Sequence, residues 1–139
     1  MSTSAYDDTS GTSVRGGRPL MERLMVFSLH AESAALRDEP QYREGDRTSR
    51  MLAKDVDLRV MLTVLRAGAA LDEQDGESRV TLQVLDGQAA VEVVGESAEL
   101  SPGEVAVIDA GNPWLVHAIV DSALLVTITL PREKVDTGS

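Results

Sequence analysis

Cysteine is absent from this chain, and with it go disulfide bridges, thiolate metal ligands and thiol nucleophiles, so stability has to come from packing. Aromatic side chains are scarce, with one Trp, one Phe and two Tyr, so a core must be built from aliphatic residues. Histidine occurs twice, as His30 and His117, which limits any imidazole chemistry to two candidates. No apolar run approaches the roughly 18 residues of a membrane-spanning helix, and the opening MSTSAYDDTSGTS has neither the basic nor the apolar segment of a secretory signal. These absences predict a soluble, cytoplasmic protein. Positive charge is in deficit as well: 13 basic against 23 acidic residues leave a net charge of −10, which opposes contact with nucleic acid or an anionic membrane. The densest basic set, Arg43, Arg47 and Arg50, is interleaved with Glu44 and Asp46.

What remains is ordinary globular material, 42% hydrophobic and 26% charged, and its 139 residues suffice for one domain. Residues 1–18, rich in Ser, Thr, Gly and Asp, cannot offset the entropy of ordering and read as a disordered tail. Residues 19–49 read as a helix and a loop. Leu20, Leu24, Phe27, Ala31, Ala34 and Ala35 recur at helical spacing and predict a helix from Pro19 that stops before Pro40. A split reading competes, with RLMVFSL extended and a shorter helix in HAESAALRDE, because Met25, Val26 and Leu29 fall off the stripe. Residues 40–49 read as loop.

From residue 50 to 131 the period is that of strands, and 132–139 is a polar tail. RMLAKD reads as a short edge strand. Residues 58–68, LRVMLTVLRAG, are apolar on both parities and predict a strand covered on both faces. VTLQVLDG is the central element: a strand ending in an Asp-Gly turn, with residues 88–94 expected to run back antiparallel from it. Further strands follow in AEL, EVAVID, WLVHAIV and SALLVTITL, separated by turns at Gly95, residues 101–103, AGNP and Asp121-Ser122. Short strands at this spacing predict an all-β sandwich or barrel rather than βαβ units.

The punctuation from Gly68 to Leu130 resembles that of the cupin family, small jelly-roll barrels of two packed sheets. Gly68 and Gly87 are similar to the glycines of the family's first motif, and Gly103, Asp109, Ala110, Gly111 and Pro113 to its second, with Asp109 where Pro is usual. The resemblance implies a cupin-like jelly-roll barrel or sandwich preceded by an N-terminal helical segment. It also implies positions for a metal: a His-x-His pair and a Glu in the first motif, a further His in the second. Here those positions fall within residues 71–75, on Val80 and on Trp114, and none is a histidine. Three imidazoles and a carboxylate suit a first-row divalent ion, whereas Val80 and Trp114 offer no lone pair of that kind. No metal and no other cofactor is expected.

Strand parity then predicts an apolar interior, with Val80, Leu82 and Val84 on one side and Trp114, Val116 and Ala118 opposite. Two readings stand. Trp114 fills the volume of the missing site and the barrel is a packed core, or it walls a cavity for a small apolar or aromatic ligand, with Arg59 or Gln74 supplying polarity at the mouth. The candidate pocket is therefore Arg59, Gln74, Val80, Leu82, Val84, Trp114 and Val116. Asp72, Glu73, Asp75 and Glu77 could suit calcium or magnesium, but their spacing matches no EF-hand loop and reads as a solvated one. His117 alternates away from Trp114 and reads as structural, and His30 as surface. Ser28, Ser78, Ser101 and Ser122 sit at caps and turns without a nucleophile elbow, and no phosphate-cradling glycine loop occurs.

The resemblance further implies a homodimer, joined by a sheet face or exchanged N-terminal strands. The alternative is that the N-terminal helix of the same chain covers that face. The function these residues point to is a metal-free ligand-binding or sensing module. A metal-independent isomerase, epimerase or cyclase using His117 is the first alternative, and a filled barrel serving as a structural or regulatory partner the second.

Overall fold

The computed structural model describes residues 22–73 and 77–130. Within them two helices, α1 (Leu29–Arg37) and α2 (Pro40–Arg43), precede the strands β1 (Arg47–Lys54), β2 (Leu58–Leu65), β3 (Ala70–Glu73), β4 (Arg79–Asp86), β5 (Ala89–Val93), β6 (Glu96–Leu100), β7 (Val105–Ile108), β8 (Trp114–Ala118) and β9 (Ser122–Thr129). The strands form two antiparallel sheets, one in the order β1-β2-β9-β4-β7 and the other β3-β8-β5-β6. The tails 1–18 and 132–139 lie outside the described residues.

Alternation along the strands decides which faces meet. In β4, Val80, Leu82 and Val84 are buried while Thr81, Gln83 and Leu85 are only partly so. In β8, Trp114, Val116 and Ala118 are buried and Leu115 and His117 half-buried. These inward sets join Leu65, Val91, Ile108, Leu124 and Val126 in one core between the sheets. β2 and β9 are buried on both parities, as the doubly apolar run 58–65 predicts.

The expected β4–β5 hairpin does not form. β4 pairs with β7 and β9, whereas β5 pairs with β6 and β8 in the opposite sheet, so the Asp86-Gly87 turn is a corner between layers. Its chemistry is specific. Gly87 has φ +91°, and a Cβ there would overlap Ser122 Oγ and the Asp121 carbonyl oxygen. Ser122, fully buried, accepts from Gln88 N–H at 3.0 Å and lies 2.7 Å from the Val120 carbonyl, tying the corner to the start of β9.

The helix is shorter than the Pro19 stripe predicts and matches the split reading. Residues 24–28 are non-helical, and α1 begins after Ser28, whose Oγ accepts from Ala31 N–H at 3.2 Å as an N-cap. Residues 19–21 lie outside the described residues. The stripe itself is misplaced: Leu24, Ala31, Ala34 and Ala35 face solvent, while Leu29, Ser33 and Leu36 supply the covered face. The larger Leu36 side chain buries more area than the alanines could, and area sets the strength of the effect. Leu36 and Tyr42 pack on Leu52, Leu62, Val64 and Ala123, closing the outer face of the five-stranded sheet over β1, β2 and β9. Arg50 adds ion pairs to Glu32 at 2.8 Å and Glu39 at 3.2 Å. The segment read as loop at residues 40–49 holds α2 and the first residues of β1, with Pro40 at the helix's first position, and β1 is an edge strand with a bulge between Met51 and Ala53.

The corner and an open turn make a comparison. Gly95 also has positive φ, +78°, but a Cβ there would meet nothing. Gly95→Ala is expected to cost about 1 kcal/mol, from conformation alone, and Gly87→Ala at least about 3 kcal/mol, from conformation plus overlap. Denaturant unfolding followed by Trp114 emission measures both, and equal losses would show that the corner is not sterically closed.

Candidate functional site

Register places the predicted residues. Arg59 pairs with Ile128, Ile128 with Val80, and Val80 with Ile108, so these four make one row across the inner face of the five-stranded sheet. In the facing sheet Glu73, Trp114, Val93 and Glu96 make another. Only residues 109–113 separate Ile108 from Trp114, so both rows lie at the same end of the barrel. Arg59, Val80 and Trp114 are therefore brought to one end. Leu82, Val84 and Val116, each with no exposed surface, lie deeper in the packed core. Gln74 lies outside the described residues.

The open space is not where parity alone puts it. An open surface depression of about 530 Å³ lies beside Trp114, lined by the exposed β5–β6 hairpin around Gly95 and by Pro113 and Leu115. Of the predicted pocket residues only Trp114 lines it; Val80, Leu82, Val84 and Val116 belong to the core instead. Glu92 and Glu96 stand at its edge. Sequence reasoning missed this hairpin because nothing local shows that β5 neighbours β8. The signal was Gly95 between two strands, but its use required the pairing of Val93 with Trp114.

Trp114 is 4% exposed, and its Nε1–H is buried without a hydrogen-bond partner. Arg59 Nε is the other such atom among the described residues. A buried donor left unpaired costs about 1–3 kcal/mol, so two at one end of a barrel are a significant local expense. The other side chains in the row of Arg59 are Ile128, Val80 and Ile108, which supply no acceptor, and the row of Trp114 holds Glu73.

The approach to Trp114 is set by the β7–β8 turn. Asp109 accepts from Ala110 N–H at 2.8 Å and from Arg79 Nε at 2.9 Å, and Asn112 Nδ2 donates to the Asp109 carbonyl oxygen at 3.0 Å. The Ala110 bond first, then the Arg79 guanidinium, hold the Asp109 carboxyl below the usual carboxylate range.

The donor set does not fit a metal of the kind the cupin family holds. Val80 ends in carbon, and the Trp114 ring nitrogen donates a hydrogen bond rather than a lone pair. Among the described residues no three His, Asp or Glu side chains converge. His117 pairs with Ala70 and Ala90 on the face opposite Trp114, and His30 is exposed on α1. Ser28 and Ser122 serve the helix cap and the sheet corner.

No family model and no curated protein matches the chain. Solved structures do. KdgF from Halomonas sp. is similar at 23% identity, with 65% of this chain and 85% of that one covered and a TM-score of 0.57. A cupin domain of an XRE family transcriptional regulator from Enterobacter cloacae is 16% identical, with 63% and 99% covered and a TM-score of 0.56. Salicylate 1,2-dioxygenase from Pseudoaminobacter salicylatoxidans is 19% identical, with 73% of this chain but 32% of the larger protein covered and a TM-score of 0.63. The chain has the cupin fold, and its fold neighbours include both an enzyme and a domain of a regulator.

Because the Asp109 value is depressed in the folded state, its contribution to stability is complete above the ordinary carboxyl value of 3.8 and is lost as pH falls through the depressed one. The difference in thermal midpoint between wild type and Asp109→Ala is therefore expected to be constant near neutral pH and to shrink below 3.8. A difference that stays the same across that range would remove the carboxylate from the turn's stability.

Proposed function

We propose that this protein is a metal-independent small-molecule-binding module, in which the cupin barrel presents a cavity beside Trp114 instead of a metal centre. The observation that carries the reading is Trp114 itself: an indole, where the resemblance to the family implies a histidine, lines the open depression of about 530 Å³. That volume is in the range of pockets for small organic ligands. Its lining is mixed, with Val93, Pro113, Trp114 and Leu115 beside Glu92, Glu96 and Ser97, which suits a small ligand with both apolar and polar parts. No general acid or base is needed for binding, and His117 lies on the other face of its strand. A fold shared by enzymes and regulators is compatible with binding alone, since fold does not dictate chemistry.

Trp114 is the chain's single tryptophan, so its emission reports on this cavity without background. Titration with a panel of small aromatic and aliphatic compounds, in the presence of a chelator, is expected to shift that emission and raise the thermal midpoint for some of them. Elemental analysis of protein grown with added iron, manganese, nickel and zinc is expected to find none at stoichiometry. A stoichiometric ion whose removal abolishes ligand binding would overturn metal independence, and a panel without a single binder would remove the binding module.

A further inference from the structure

We propose that the molecule taken up by the depression beside Trp114 is a small organic cation, an alkyl or aryl ammonium whose charge is met by Glu92 and Glu96. The proposal rests on the binding reading above and names the chemical class of what is bound. It begins from the lining. Glu92 and Glu96 bring two carboxylates to the depression and Ser97 a hydroxyl, and no Lys, Arg or His lines it. Register sets the acids beside its apolar surface: Glu92 lies opposite Leu115 on β8, and Glu96 opposite Val93, which in turn lies opposite Trp114. Both glutamates and Pro113 are exposed and Val93 and Leu115 half-buried, so an incoming molecule meets charge and carbon together.

Charge selects among ligands. An anion would be brought toward two carboxylates on a chain of net charge −10, and a neutral molecule would gain less from either. A cation gains from both. A primary ammonium carries three donors for three acceptor groups, the two carboxylates and the Ser97 hydroxyl, and its carbon skeleton covers Val93, Pro113 and Leu115. A metal ion fits less well: calcium takes about six to eight oxygens, and among the described residues no three His, Asp or Glu side chains come together. Trp114 is 4% exposed, so it serves as the reporter and not as the group that selects.

The test uses the full chain and one carbon skeleton with three head groups, hexylamine, hexanol and hexanoate, with calcium chloride as the inorganic cation, each followed by Trp114 emission and thermal midpoint. At low ionic strength hexylamine, protonated at neutral pH, is expected to bind about fivefold more tightly than hexanol, the scale of two exposed charge contacts, and hexanoate more weakly than either. The difference is expected to fade in about 1 M salt, where the screening length is about 3 Å. Glu92→Gln and Glu96→Gln are each expected to lower the preference for the amine about twofold, and the double variant to abolish it, with unliganded midpoints close to wild type because both side chains are exposed. Glu99→Gln, which removes the same charge from β6 outside the depression, is expected to keep the preference. If Glu99→Gln lowers it as much as Glu92→Gln does, net charge and not this site selects the amine, and the proposal fails. Hexanol or hexanoate binding as tightly as hexylamine, or an amine that fails to bind where others of the wider panel do, would overturn the cation while leaving the binding module standing. Calcium that binds as tightly as hexylamine would overturn the organic class. If no head group and no compound of the wider panel binds, the binding module itself falls, and this proposal with it.

Discussion

The first half of strand β9 has no wet side. Its residues Ser122, Ala123 and Leu124 are all buried, so the sheet at whose centre it lies has to be covered on both faces. The inner cover is the four-stranded sheet, which meets Leu124 and Val126 with Val91, Val116 and Trp114. The outer cover is α1 and α2, which meet Ala123 and Leu125 with Leu36 and Tyr42. Each large aliphatic side chain fully removed from water contributes about 1.5–3 kcal/mol, against which exposed ion pairs such as Arg37 with Asp86 count for little. The N-terminal helix is thus a structural third layer, as the apolar parity of β2 requires.

The same packing explains why the chemistry gathers at one end. In mid-barrel, Leu82, Val84 and Val116 are fully buried, and the open depression lies where strands end and turns begin. There the Asp109 turn and the Gly95 hairpin flank Trp114, and the two unpaired N–H groups mark where packing has not satisfied polarity. Buried polar groups are normally paired, so these two are the chemically informative atoms of the interior. Replacing an imidazole with an indole changes the end of the barrel from an acceptor to a donor of hydrogen bonds.

Much of this was legible from residues. The doubly apolar β2, the inward sets of β4 and β8, the outward His117 and the cupin punctuation all follow from period-two alternation and turn chemistry, which are local. What was not legible is what depends on pairing between distant strands. Asp86-Gly87 has the composition of a hairpin turn, and only the contact with Ser122 shows it to be a corner. The cavity wall at Gly95 needed the Val93–Trp114 register, which no spacing encodes. The helix was misjudged for a local reason: alanines at helical spacing mimic a buried stripe, while the Ser28 cap and Leu36 decide the true start and face.

The strand order has a consequence for assembly. β9 comes last among the described strands but sits between β2 and β4 at the middle of its sheet, joined to partners some sixty and forty residues earlier in the sequence. Until β9 pairs, β1 with β2 and β4 with β7 are two separate ribbons of that sheet. Assembly of this sheet therefore waits on pairings between segments far apart in sequence, and such long-range closure slows folding.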